Sequence, residues 1–221
     1  MKKAITVLAV LALSGAAYGD TIIHNNLQSA GYAWSNGWGS SKGGDNLFGS
    51  HGDYAVVDRV VVPGGFNKIT SVSTTSISSQ SFFFGAPPIL ATQATLYIIP
   101  AGDMPNNLAG NRFENVSVTS TNIGFDAYGI AMIQMDWTGS VNVAPGTYYV
   151  GLRAFSTGGE PNEWYYQHDA PGGGDAHQSA AGGPFGSLGG PAVSLRVGAV
   201  PAPASLALVG LGGLVAARRR R

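Results

Sequence analysis

Two histidines and two aspartates, His168, Asp169, Asp175 and His177, fall within ten residues around the run Pro171-Gly172-Gly173-Gly174. Imidazole nitrogens and carboxylate oxygens ligate Zn²⁺ and related divalent ions, and the glycines would let such a segment fold back on itself. The spacing is not the i, i+4 pair that a helix presents to one metal, and nothing in it fixes the convergence of these side chains. The expected state of residues 167–178 is therefore a solvated glycine loop. A second polar segment, 40–53, holds Asp45, Asn46, His51 and Asp53. Its oxygens suit Ca²⁺, but the D-x-[DN]-x-[DN]-G order of a calcium loop is missing. The sequence thus calls for no cofactor, a structural calcium being the most that these residues would hold.

Glu160 and Glu163 flank Pro161-Asn162, and glycoside hydrolysis needs a pair of carboxylates. Two glutamates three apart in one loop do not face each other across a sugar, and no G-x-S-x-G nucleophile elbow occurs. The chain is expected not to be an enzyme. Aromatic residues gather at Tyr32, Trp34 and Trp38 and again at Trp164, Tyr165 and Tyr166. Exposed on a sheet face, Trp34, Trp38 or Trp164 could stack on sugar rings; packed inward, they would fill a core. The triple Phe82-Phe83-Phe84 is expected to close one edge of the body, with self-association as the alternative.

Composition narrows the partners. The formal charge balance is zero, with twelve Lys and Arg against twelve Asp and Glu, yet two of the cations are Lys2 and Lys3 and four are Arg218 to Arg221. All twelve acids lie between residues 20 and 175, so the body carries about six net negative charges. Such a body does not bind nucleic acid, which needs clustered Lys and Arg. With no cysteine, it must be held together by core burial rather than disulfides, and about 180 residues suffice for one domain.

Residues 54–62, 68–77, 91–99, 113–123, 128–137, 147–155 and 192–197 are rich in Val, Ile, Thr, Tyr and Phe and bounded by Gly, Pro, Asn or Ser clusters. None shows sustained helical periodicity. The expected fold class is all-β, an antiparallel β-sandwich. Along 147–155, alternation puts Val150 and Leu152 toward the core and Arg153 toward solvent, with Val141 and Val143 in a preceding strand turned at Pro145-Gly146.

Both ends have the pattern of address segments. Residues 1–19 join Lys2 and Lys3 to an apolar core over 4–13 and small residues at Ala17 and Gly19, the organisation of a secretory signal peptide cut after Gly19. This signal helix implies export machinery and a signal peptidase as partners. Residues 200–221 read Val200, Pro201, Ala202, Pro203, then an apolar run over 205–217, then Arg218, Arg219, Arg220 and Arg221. Thirteen apolar residues cover about 20 Å of helix against about 30 Å of hydrocarbon, a short span that the arginines would halt at the headgroups. A membrane helix over about 204–217 follows.

This tail resembles the PEP-CTERM sorting signal, with V-P-A-P in place of the usual V-P-E-P. The resemblance implies handling by a membrane protease of the exosortase type, transient anchoring through the C-terminal helix, and a destination at the bacterial cell surface or in the extracellular matrix. The 53–62 strand with Gly64-Gly65 and Ile69 to Val72, the 94–100 strand, and A-P-G-T-Y-Y-V-G-L over 144–152 are similar to the jelly-roll-like bodies of such proteins. The expectation is a signal peptide over 1–19, a β-sandwich domain over 20–199 and a sorting tail over 200–221. Its function would be of structural or interaction type. A secreted carbohydrate-binding module recognising extracellular polysaccharide is the alternative, and a glycan-active hydrolase the third.

Overall fold

The computed structural model describes residues 20–33, 37–40, 44–46, 49–51, 54–104, 112–155, 165–180 and 184–202. The signal segment with Ala17 and Gly19, the residues Trp34, Asp53, Glu160, Glu163 and Trp164, and the tail from Pro203 through Arg218, Arg219, Arg220 and Arg221 lie outside these residues. Among the described residues no helix is long and apolar enough to cross a membrane.

The chain is all-β. In order come β1 (Thr21–Asn25), β2 (Gly37–Gly39), β3 (Gly44–Asn46), β4 (Gly49–His51), β5 (Tyr54–Val62) and β6 (Phe66–Ser78). A short helix α1 (Ser79–Phe84) leads to β7 (Gln93–Pro100), β8 (Arg112–Ser117), β9 (Thr119–Phe125), β10 (Ala131–Asn142) and β11 (Gly146–Phe155). The rest is β12 (Tyr165–Gly173), β13 (His177–Ala180), β14 (Gly186–Ser187), β15 (Pro191–Val193) and β16 (Leu195–Pro201). All pairings are antiparallel. One sheet runs β1-β16-β6-β10-β9, with β12 beside β6 and carrying β2 and β15; a second runs β14-β13-β5-β11-β7-β8; β3 and β4 pair separately.

β6 is the axis of the larger sheet. Its thirteen residues pair with β10 along one edge, from Lys68 opposite Asn142 to Ile77 opposite Met132. Along the other edge β16 pairs from Pro201 opposite Phe66 to Leu195 opposite Thr74, and β12 then continues opposite Ser76 to Ser78. Thr, Ser, Val and Ile dominate β6, residues that suit a pleated surface covered on both faces. The Pro63-Gly64-Gly65 turn, with Gly65 at φ +90°, passes the chain from β5 in the smaller sheet to β6 in the larger.

The two sheets share one core. Val60, Val62, Leu96, Ile98, Val150 and Leu152 of the smaller sheet meet Ile69, Val72, Trp137, Leu195 and Val197 of the larger in a single buried cluster. Each fully buried Leu, Ile or Val contributes about 1.5–3 kcal/mol. A second cluster, Ala55, Val57, Tyr97, Ile99 and Tyr149 with Phe185, covers part of the opposite face of the smaller sheet, where Tyr149 of β11 points away from the shared core.

That second cluster corrects one expectation. Val150 and Leu152 do face the shared core, but Arg153, on the opposite face of β11, is 4% exposed rather than solvated. Its guanidinium donates to the Thr95 hydroxyl at 3.0 Å and stands 3.5 Å from the Glu114 carboxylate, the pairing that a buried charge requires. Alternation tells the two faces of a strand apart; it does not say whether the second is covered. Two boundaries also differ. The 113–123 stretch breaks at Val118 into β8 and β9, which belong to different sheets, and the turn at Pro145-Gly146 likewise carries the chain from one sheet to the other.

Candidate functional site

The expected glycine loop over 167–178 is mostly strand. Gln167, His168 and Asp169 lie in β12, where His168 pairs with Gly37 and its carbonyl accepts from the Ser194 amide at 2.9 Å. Only residues 174–176 separate β12 from β13. His168 is fully buried, and burial pushes its imidazole down to about 4, against the opposing pull of Asp126 and Asp169. A ring so placed is neutral at pH 7. Asp169 is buried as well, and one of its oxygens accepts from the Tyr32 hydroxyl at 3.4 Å.

Asp175 and His177 do converge. The Asp175 Oδ1 lies 3.0 Å from His177 Nε2, and its Oδ2 accepts from the Tyr149 hydroxyl at 2.5 Å. The Tyr149 and His177 rings meet edge to face at 4.9 Å. Hydrogen bonding from Tyr149, against the opposing effect of partial burial, holds the Asp175 carboxyl below its usual range, and the Tyr149 phenol is pushed up to about 12 by burial and by Asp175. One layer further in, the buried Asp58 accepts from the amides of Arg59 at 2.7 Å, Asp175 at 3.3 Å and Val193 at 3.1 Å. A carboxylate held by three backbone donors is a structural clamp between β5, the residues before β13, and β15.

Beside this group a hollow of about 430 Å³ opens between Ile23, His24, Asn26, Asp58, Arg59 and Asp175. Burial lowers the His24 imidazole despite Asp58, and its Nε2 is buried with no hydrogen-bond partner. Sequence reading passed over His24, Asp58, Arg59 and Tyr149. The signal for Asp58 and Arg59 was visible, since a charged pair interrupts an otherwise apolar strand, Y-A-V-V-D-R-V-V-V.

Chemically the group is limited. The Asp–His pair resembles two-thirds of a charge-relay arrangement, but the second nitrogen of His177, Nδ1, is buried without a hydrogen-bond partner, so among the described residues no hydroxyl nucleophile stands at it. Among the described residues no group of three or more His, Asp or Glu could hold a metal ion. His168 and Asp169 are not brought to Asp175 and His177 as one ligand set. Asp45 lies in the β3–β4 hairpin.

Of the aromatic residues considered for sugar stacking, Tyr165 is fully buried with its hydroxyl donating to the Ile89 carbonyl at 3.0 Å. Trp38 is half-buried, packed against Val56, Ala176 and Val193, with its indole nitrogen buried and without a hydrogen-bond partner. Tyr166 is half-buried with its ring 6.3 Å from Phe82.

The first elements of the tail are part of the fold. Val200 pairs with Lys68 and Pro201 with Phe66 at the end of β16, and the Ala202 amide donates to the Gly65 carbonyl at 2.6 Å. The last strand therefore runs two residues into the V-P-A-P element. No family model, curated protein or solved structure matches the chain.

Proposed function

We propose that this is an exported protein of the bacterial cell surface or extracellular matrix, of structural or interaction type rather than an enzyme. Its β-sandwich body, jelly-roll-like in layout, is carried out by the signal peptide over 1–19 and handled at its tail by a membrane protease of the exosortase type. The observation that carries this reading is the order of the tail: V-P-A-P at 200–203, an apolar run over 205–217, and Arg218 to Arg221. Arginine is costly in hydrocarbon, so four in succession halt the apolar segment at the interface. The sandwich reading is supported by the shared core, to which strands of both sheets contribute.

Intact-mass measurement on the protein recovered from envelope and medium fractions of its native host tests this. The expected mass lacks residues 1–19 and shows either removal of the arginine block or a covalent addition near it. Recovery of the unprocessed chain from the cytosol would overturn the reading.

A further inference from the structure

Among the described residues, one end of the larger sheet is aromatic and exposes no charge. The helix α1 is fixed there by caps at both termini: the Ser78 hydroxyl accepts from the Ser81 amide at 3.2 Å, and Gly85 closes the helix at φ +61°. The Ser81 hydroxyl in turn accepts from the Ala131 amide at 3.0 Å, which binds α1 to the start of β10 and so to the β9–β10 hairpin. Phe82, Phe83 and Phe84 on α1, with Phe125 and Tyr128 at the hairpin, are 41% to 63% exposed. Stretches 77–90 and 122–131 carry no charged residue except Asp126, which is buried. Burying these five rings would remove about 500 Å² of apolar surface per copy, taking roughly 200 Å² for a whole aromatic side chain.

We propose that this end is a self-association surface, and that its occupant is a second copy of this chain docked end to end about a two-fold axis. Three observations choose that occupant. The body is acidic overall, so two copies repel each other least where they meet through these described residues, which expose no charge. The surface is also self-complementary: beside Phe82 lies an apolar hollow of about 190 Å³ lined by Gly37, Ile77, Phe82 and Tyr166, room for an aromatic ring from the partner copy. In a two-fold interface Phe83 or Phe84 of each copy enters the hollow of the other, and about 1000 Å² buried in total reaches the size of a specific interface.

Third, the geometry turns this end away from other occupants. Phe82 and Phe83 pack edge to face at 84°, so they do not form the common plane on which a sugar chain stacks. The tail leaves at Ala202, bonded to Gly65, beside the first residue of β6, whereas α1 follows its last. Thirteen residues of strand separate them by about 40 Å. Resting on the proposed reading of the tail, the aromatic end points away from the protein's own membrane.

Sedimentation velocity of the mature protein from its native host, over a dilution series, tests the proposal. Wild type is expected to be a reversible dimer. Phe83→Asp and Phe84→Asp are each expected to weaken it by about tenfold or more, as for a central anchor residue, while Val61→Asp, an exposed apolar position elsewhere, leaves it unchanged. Because the chain has no cysteine, Phe84→Cys supplies a second readout should an Asp variant fail to fold: oxidation should give a disulfide-linked dimer that Val61→Cys does not. A wild type monomeric at every dilution overturns the proposal, as does a dimer indifferent to both Phe variants. A monomer that binds zwitterionic phosphatidylcholine vesicles through these phenylalanines gives the surface to a bilayer instead and equally overturns it. None of these results alters the mass of the mature chain, so the tail reading stands or falls separately.

Discussion

The Tyr149 hydroxyl donates to the Asp175 carboxylate at 2.5 Å, joining the middle of β11 to the residues that lead into β13. The bond favours the charged carboxylate and the neutral phenol, so the Asp175 pKa falls, while burial first and then the bond push the Tyr149 phenol up to about 12. For Asp175, whose folded value is depressed, the stabilisation is present above the unfolded carboxyl value and is lost as pH falls through the folded one. For Tyr149 it is present below about 10 and is lost between about 10 and 12. Tyr149→Phe should cost about 1 kcal/mol at pH 7, since solvent screens a carboxylate that is 44% exposed. In an ultraviolet titration of tyrosine ionisation, the variant should lose the step near pH 12.

His168 gives a second pH dependence of the same acid-side sign. Its folded value of about 4 lies below the ordinary 6.5, so the unfolded chain binds the extra proton first. Stability is complete above about 6.5 and declines as pH falls toward 4, by about 3 kcal/mol in all. Urea midpoints measured from pH 7.5 to 4.5 should fall in wild type. They should fall less in His168→Leu, and a parallel decline in both would show that His168 is not responsible.

How much of this was legible in the sequence depends on which force set each element. β5 over 54–62 is found where Val and Tyr density and the flanking glycines put it, because strand propensity and burial agree there. β12 was not legible: Pro171 and three glycines signal a loop, yet pairing with β2, β6 and β15 holds the segment in the sheet, with the register shifting only across Pro171 and Gly172. Tertiary pairing overrode local preference, and with it His168 passed from an expected solvated residue to a core one. α1 was missed for a different reason. Six residues are too few to show a period, and what starts and stops the helix is its caps rather than its pattern.

Gly151 marks a close approach that composition alone does not reveal. A Cβ there would stand 2.1 Å from the Val56 carbonyl oxygen, backbone that moves only if β5 moves. Gly151→Ala should therefore destabilise the fold by roughly 2 kcal/mol, as overpacked core substitutions do. Thermal unfolding is the measurement; a midpoint equal to that of wild type would mean that β5 and β11 can separate freely at that point.

The Ser78 cap offers a test of whether the aromatic end depends on α1. Loss of the hydroxyl removes the acceptor for the Ser81 amide, and Ser78→Ala should cost about 1 kcal/mol. Because Ser81 also holds the Ala131 amide, fraying of α1 would release Phe82 to Phe84 from the hairpin. Ser78→Ala should weaken the dimer while leaving a folded body, seen as an unchanged far-ultraviolet spectrum alongside a shifted sedimentation profile.

The end of β16 limits where a processing enzyme can act. A protease binds its substrate as an extended strand, and the backbone groups it would use at Val200 and Pro201 are already committed to Lys68 and Phe66, with the Ala202 amide bonded to Gly65. Cutting upstream of Ala202 would require that pairing to open, whereas the bond after Ala202 is approached without disturbing the sheet. The C-terminus of the mature protein should therefore lie at or beyond Ala202. Replacing Phe66 with Pro, which removes the amide that donates to the Pro63 carbonyl at 3.3 Å in the turn leading into this edge, should loosen this end and move part of the product upstream. A mature C-terminus before Val200 in the unaltered protein would show that β16 unzips during processing, and that the folded body does not guard its own tail.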